Sequence, residues 1–249
     1  MSKVYGNFAW IYDDFMEDYD YEGVFHFIDQ VWDHPKKEEA SILEMACGTG
    51  SLSCFLSGWG QLDAFDLSPD MLALAQAKLG HREGVRLFQM DMETFRLDRT
   101  YDLILCLCDS MNYLDHKDKI FRTLVQVQKH LKQDGLFIMD LNTAHGFEKN
   151  YGDQVFLQEK EGVFLAWDNH FDRDLGINYY DLDFFLEEEG GLYRRFSESH
   201  EEYTYSIEEI RELVQKAGLR ILKMTQGYSQ EEDLSQAGRI VYFIKKEDV

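Results

Sequence analysis

The chain has 249 residues, 45% apolar and 14% aromatic, enough to bury a full core as one large domain or as a domain carrying an insertion. Its formal charge of -22, from 47 acidic against 25 basic residues, excludes a surface built to neutralise nucleic-acid phosphates and favours a small-molecule substrate. Most of the acids are expected on solvated surface. The first residues lack the basic-then-apolar order of a secretory signal, and no stretch reaches the about 18 apolar residues that cross a bilayer. Cys47, Cys54, Cys106 and Cys108 have neither CxxC spacing nor adjacent histidines. A cytoplasmic protein with reduced thiols is expected, monomeric or homodimeric, with no metal, membrane or nucleic-acid partner.

Tyr5, Phe8, Tyr12, Phe15 and Met16 recur at three- and four-residue spacing, which marks one face of a helix. A second helix follows with Val24, Phe25, Phe27, Ile28, Val31 and Trp32. Core packing accounts for Phe8, Phe15 and Trp32, whereas the hydroxyls of Tyr5 and Tyr12 need partners. From Ser41, short apolar runs alternate with helical segments, the pattern of a parallel sheet covered on both faces. The runs are Ile42 to Met45, Leu62 to Phe65, Val85 to Met90, Leu103 to Cys108 and Leu136 to Met139. Ser68, Pro69 and Asp70 start one intervening helix as N-cap, first-turn proline and dipole-complementing acid. Ile120, Leu124, Val127 and Leu131 mark the face of another.

After Asn150 the period changes to two. Tyr180, Leu182, Phe184 and Leu186 share a face between Gly176 and the pair Gly190-Gly191, which predicts antiparallel hairpins over about residues 153 to 205. A capping box at Ser206-Ile207-Glu208-Glu209 restarts the helical pattern, which Gly218 ends. Two more strands, near 219 to 226 and 239 to 245, complete the main sheet.

The chemistry gathers at Glu44-Met45-Ala46-Cys47-Gly48-Thr49-Gly50, where an apolar strand, an acid and alternate glycines precede a helix. Such a turn lets a nucleotide-type cofactor approach the backbone closely. Glu44, Asp66 and Asp91 follow three successive strands and so lie along the carboxyl edge of a doubly wound sheet, where ligands bind. A nicotinamide fingerprint, G-x-G-x-x-G/A, is met imperfectly because its third position is Ser53, and the placement of Glu44 is foreign to it.

The run Glu44-x-Ala46-x-Gly48-x-Gly50 resembles the first motif of the class I S-adenosylmethionine-dependent methyltransferases, with Ala46 in place of the first glycine. Leu62 to Leu72 resembles the second motif, Gln89-Met90-Asp91-Met92 the adenine-contacting segment, Tyr101 to Leu114 the fourth motif, and Leu131 to Gly135 the turn before the fifth strand. The resemblance spans about residues 38 to 246. It implies a Rossmann-like α/β fold, doubly wound, with seven mainly parallel strands and S-adenosyl-L-methionine as cofactor. The organisation expected is one domain over 1–249: a helical N-terminal cover at 1–38, the core at 39–150 and 206–249, and an antiparallel β insertion at 151–205.

More narrowly, the chain is similar to a group of poorly characterised bacterial small-molecule methyltransferases with the same insertion. These carry an N-terminal Tyr-x-x-Phe-Ala-x-x-Tyr-Asp helix, here Tyr5 to Asp13, and a Glu-x-His-x-Gln-Arg-x-Tyr run, here Glu198-x-His200-x-Glu202-Tyr203-x-Tyr205 with Gln and Arg replaced. The resemblance implies that Tyr5, Tyr12, Glu44, Ala46, Cys47, Gly48, Gly50, Asp66, Leu67, Met71, Asp91, Met92 and Cys108 serve the cofactor, Asp66 at the ribose and Asp91 and Met92 at adenine.

Methyl transfer needs positioning and water exclusion more than a fixed triad. Strand alternation puts Arg194, Phe196, Glu198, His200 and Glu202 on one face, too polar for a plain core. Tyr113, Arg194 and Glu198 are therefore candidates for binding a small-molecule acceptor, and His200 and Asp109 for acid–base work. An exposed salt-bridged sheet face and a loop cap are the plain alternatives for His200 and Asp109. Trp167, on a face with Val163, Leu165 and Phe171, suits core packing. A nicotinamide-dependent oxidoreductase and a non-catalytic cofactor-binding module are the rival functions.

Overall fold

The computed structural model describes residues 9–34, 36–160 and 162–247. The described residues form two sheets. Strands β1 (Ala40–Met45), β2 (Gly60–Asp66), β3 (Val85–Gln89), β4 (Tyr101–Cys106) and β5 (Leu131–Asn142) join with β10 (Leu219–Gln226) and β11 (Arg239–Lys246). Their order is β10-β11-β5-β4-β1-β2-β3, parallel from β3 to β5, with β11 running antiparallel between β5 and β10. The order of winding reverses between β1 and β4, so the carboxyl ends of these strands open a crevice.

Because helices cover both faces, the central strands are continuous apolar runs: Leu103, Ile104, Leu105 and Cys106 of β4 are all fully buried. On one face α2 (Tyr21–Val31) and α3 (Ser51–Leu56) pack Val24, Phe27, Ile28, Leu52 and Leu56 against the sheet. On the other, α5 (Lys117–His130) and α7 (Ile207–Lys216) pack Ile120, Leu124, Val127, Ile210 and Val214. Each such side chain contributes roughly 1.5–3 kcal/mol on burial. The Ser68 cap of α4 (Pro69–Leu79) and the Ser206–Glu209 capping box of α7 form as their sequences predict.

A short helix, α6 (Ala144–Gly146), runs into a π-turn at Phe147–Tyr151 and then into the meander β6 (Gln154–Lys160), β7 (Val163–Asp172), β8 (Ile177–Glu188) and β9 (Leu192–Tyr203). Neighbouring strands are antiparallel throughout. The inner face of this sheet, with Val163, Leu165, Leu182 and Phe184, encloses Ile11 of α1 (Ala9–Phe15), which is 0% exposed. Tyr12 and Phe15 pack beside it, while Tyr5 and Phe8 lie outside the described residues. The N-terminal cover and the insertion therefore share a core.

Several boundaries differ from the sequence reading, most of all around β4 and β5. Strand β4 stops at Cys106, not Cys108, because Cys108 and Asp109 both turn left-handed at φ 56. Helix α5 ends at His130, and Leu131 is its C-cap. Strand β5 runs from Leu131 to Asn142; a register shift opposite Tyr101 and Leu103 absorbs the extra residues. Among the described residues no helix is long and apolar enough to cross a membrane.

Candidate active site

Strand β1 delivers Glu44, 5% exposed, to the foot of the glycine loop, where its Oε2 accepts the hydroxyl of Ser53. Burial pushes this carboxyl up to about 8, with the Ser53 bond pulling the other way. Ser53, the residue that spoils a nicotinamide fingerprint, is thus the partner that makes a buried acid tolerable here. The loop turns through left-handed backbone at Ala46, Gly48 and Gly50, with φ of 53, 55 and 79. Gly50 suits its left-handed φ of 79, and a Cβ there would also crowd Leu79 Cδ1 at 2.8 Å and Ala75 Cβ at 3.2 Å. At Gly48 nothing lies within 4 Å of the same point, so this turn presents open backbone to the crevice.

Asp66, at the end of β2, accepts the Gly48 N–H at 2.8 Å through one oxygen and the Ser68 N–H at 2.8 Å through the other. Each oxygen keeps lone-pair capacity for a diol. Burial raises this carboxyl despite the two bonds. Leu67 beside it is 65% exposed, an apolar side chain standing at the sheet edge. Asp91 accepts the Glu93 N–H at 2.8 Å, and Met92 packs partly into the core below. Met71 is buried in the first turn of α4, and Cys47 is buried with its N–H on the Phe65 carbonyl at 3.0 Å. The open turn, the carboxylate and the neighbouring apolar surface fit an adenosyl group carrying an amino acid.

Helix α1 closes over this cradle. Asp13 accepts the Thr49 hydroxyl at 2.5 Å and pairs with Lys78 of α4 at 2.6 Å, while Lys78 also donates to Thr49 and Ser51 at 3.0 Å each. Toward the insertion, Lys160 of β6 donates to the Asp14 carbonyl at 2.8 Å and pairs with Glu17.

Beyond β4 a second polar assembly begins at Asp109. Its N–H donates to Asp140 Oδ1 at 2.9 Å, its Oδ1 lies 3.2 Å from Arg239 Nη2, and its Oδ2 accepts Asn142 Nδ2 at 3.0 Å. Arg239 also donates to Asp140 at 2.6 Å, and Tyr228 donates to the same carboxylate. Burial works against the guanidinium charge, and Asp109 and Asp140 more than restore it. A cavity of about 340 Å³ reaches Arg239 from the α2 side, lined by Tyr19, Asp20, Gly23, Val24 and Tyr228. Cys108 stands between, its N–H 3.3 Å from the Tyr228 hydroxyl, and burial pushes its thiol up to about 12.

The polar face of β9 is largely buried rather than an exposed salt-bridged sheet. His200 is 4% and Glu202 3% exposed. His200 stacks on Tyr180 at 4.9 Å between centroids and 13° between planes, meets Tyr113 edge-on at 6.0 Å, and lies 3.6 Å from Glu198. Arg194 is six residues away along the strand, roughly 20 Å, at an exposed end where it pairs with Glu188 at 3.3 Å. Trp167 packs against Tyr151, Phe156 and Tyr180. Asp109, Tyr113, His200 and Glu198 thus gather at one end of the crevice, and Arg194 stands apart.

Asp140, Asn142 and Arg239 were not singled out by the sequence reading. A signal existed for Asp140, because it closes an apolar run as Glu44 and Asp66 do. Arg239 carries none beyond being a lone cation at the head of an apolar strand.

A methyltransferase domain family matches residues 42–135. A crystal structure of an S-adenosylmethionine-dependent methyltransferase from Clostridium acetobutylicum ATCC 824 is 31% identical, covers 98% of this chain and 99% of that one, and superposes with a TM-score of 0.83. The chain belongs to the S-adenosylmethionine-dependent methyltransferases. Another relative of this methyltransferase, YqeM of Bacillus subtilis (strain 168), carries a provisional methyltransferase name and is 29% identical over 98% of this chain and 97% of its own. A third is the dTDP-3-amino-3,4,6-trideoxy-alpha-D-glucopyranose N,N-dimethyltransferase of Streptomyces venezuelae, 26% identical over 74% of this chain and 77% of its own. The cofactor of this family is S-adenosylmethionine, and the nicotinamide reading is displaced.

Proposed function

We propose that the chain is an enzyme that methylates a small-molecule acceptor. One observation carries this: the open left-handed loop with Asp66 and the buried polar assembly around Asp109 follow β1, β2 and β4, on either side of the point where the strand order reverses. Glu44, Ala46, Cys47, Gly48 and Gly50 would hold the amino-acid end of the cofactor and Asp66 its ribose. Leu67, Met71, Asp91 and Met92 would flank adenine, with Tyr12 and Cys108 on the side of the sulfur. Tyr5 belongs to this proposal through the family motif alone. When bound, the cofactor supplies an activated methyl group.

The chain's own residues then position the acceptor and exclude water. Asp109 offers a carboxyl held by Arg239 and Asn142, His200 and Tyr113 ring edges and polar atoms, and Glu198 a nearly buried carboxylate. Arg194 is assigned to the outer rim. The dTDP-sugar N,N-dimethyltransferase relative supports a small acceptor. Four free cysteines support a reducing, cytoplasmic setting, and the core shared by α1 and the insertion supports one domain over 1–249.

Calorimetry with S-adenosylmethionine and its demethylated product tests the cofactor half, with binding of both expected. Asp66→Ala should weaken donor binding at least about tenfold, the scale of a lost charge-assisted bond. Unchanged affinity would overturn the assignment. Methylation of a metabolite extract tests turnover; donor binding with no transfer would mark a non-catalytic module.

A further inference from the structure

Resting on the methyltransferase reading and deepening it, we propose that Glu202 is the terminal proton acceptor of the reaction, reached through the hydroxyls of Tyr113 and Tyr180. The acceptor is then an O–H or N–H compound that gives up its proton as it is methylated.

The direction of the hydrogen bonds carries this. Glu202 Oε1 accepts the Tyr180 hydroxyl at 2.8 Å, and the Tyr180 oxygen bonds the Tyr113 hydroxyl. A tyrosine has one proton to donate. With the carboxylate ionised, the Tyr180 proton goes to Glu202, so the proton between the two tyrosines belongs to Tyr113. In that state the donors of the row point at Glu202, and beyond its bond to Tyr180 the Tyr113 oxygen can act only as an acceptor. Tyr113 is half-buried whereas Glu202 is 3% exposed, so the row leads from the crevice into the interior.

The row is also held still. Tyr180 lies flat on His200, and Tyr113 meets the same imidazole edge-on. The Asn142 amide donates to Asp109 at 3.0 Å and reaches Glu202 Oε2 at 3.4 Å, so a strand of the main sheet pins the insertion's carboxylate. The charged and titratable groups facing Glu202 are Asp109 from the loop after β4, Arg239 from β11, Tyr180 from β8 and, on its own strand, His200. Tyr151 of the π-turn senses the charges of Asp109, Arg239 and Glu202 together. Burial first, and then the Asp109 charge, lift the Glu202 carboxyl to about 8 against the pull of Tyr180, Asn142 and Arg239. A base in this range exchanges protons effectively near neutrality.

In the step, the acceptor's X–H bond breaks and its proton passes to the Tyr113 oxygen. The Tyr113 proton moves to Tyr180 and that of Tyr180 to Glu202, which ends as the neutral acid. A lone pair on X forms the X–CH3 bond, the X–H pair stays on X in its place, and the S–CH3 pair stays on sulfur. Glu202 returns its proton to solvent before the next turnover.

Glu202→Gln keeps the shape and still accepts from Tyr180, so it separates proton transfer from packing; Tyr180→Phe cuts the row, and Glu202→Asp restores a carboxylate. The probes are radiolabelled S-adenosylmethionine with a panel of small alcohols, phenols and amines, and with a bacterial metabolite extract, from about pH 6 to about pH 10. Wild-type transfer should rise with pH to a plateau. Glu202→Gln and Tyr180→Phe should be about 10²-fold slower and lack that limb, with partial recovery in Glu202→Asp and unchanged donor affinity. Infrared difference titration of the protein alone should show carboxylic acid absorption from Glu44 and Glu202 lost on raising pH, with the Glu202 component removed in Glu202→Gln and displaced in Tyr180→Phe. Transfer with the wild-type pH profile in Glu202→Gln, or a titration that Glu202→Gln leaves intact, overturns the relay alone. Transfer to no compound by the wild type overturns the methyltransferase reading, and the relay with it.

Discussion

Ala46 holds a left-handed φ of 53 where the family's first motif has glycine. A Cβ in this region costs about 1–2 kcal/mol, and glycine returns part of that as chain entropy. Ala46→Gly should therefore stabilise the protein by about 1 kcal/mol, a rise of about 2–4 °C in Tm, with donor affinity retained; a scanning-calorimetry Tm that falls would show the methyl group to be a packing contact. Glu44 makes a pH argument at the same scale. Its folded-state pKa stands near 8 against an ordinary 4.5, so the folded form holds its proton more tightly than the unfolded chain does. The stability this contributes is fully present below about pH 4.5 and is lost as pH rises through about 8. Denaturant titrations across that window should show a decline that Glu44→Gln lessens, Glu202 contributing the remainder, and a wild-type slope in the variant would refute the assignment.

At the scale of elements, α1 is tied to the glycine loop by Asp13 and to the inserted sheet by Ile11. Asp13→Ala removes a partly exposed charge-assisted contact, worth about 1 kcal/mol. Donor affinity should fall about fivefold and amide exchange in α1 should quicken; the first without the second would place Asp13 in direct contact with the donor. Ile11→Ala should cost about 2–5 kcal/mol in a chemical-denaturation experiment because the small core it fills cannot collapse around the gap. The strands, the capped helices and the insertion were readable because each imposes a period or a turn residue on local sequence. Ile11 was not, since the tyrosine and phenylalanine spacing around it defined a neighbouring stripe. The partnership of Asp140 with Arg239 joins residues 99 positions apart, and that of Asn142 with Asp109 crosses between strands. Nothing in local periodicity encodes such pairs. Glu44, Gly48 and Gly50 were readable because a turn must carry its residues consecutively, and Asp66 because it ends the next strand, whereas the proposed acceptor side is assembled from the loop after β4 and from β5, β8, β9 and β11.

For the whole molecule, the charge of -22 sets a field that reaches ligands before contact. S-adenosylmethionine carries one more positive charge than its demethylated product. Raising salt should therefore weaken donor binding more than product binding, since added ions screen the attraction. Equal salt slopes by calorimetry would confine the electrostatics to the site. The bridging position of α1 bears on time as well as on affinity. A helix that seals the donor loop with one side chain and fills the core of the acceptor sheet with another cannot serve the two halves independently. On the proposed function, a donor bound beneath α1 would complete the chamber for the second substrate, so the expected kinetics are ordered, donor first and demethylated product last. Product inhibition would show this as competition between donor and demethylated product alone.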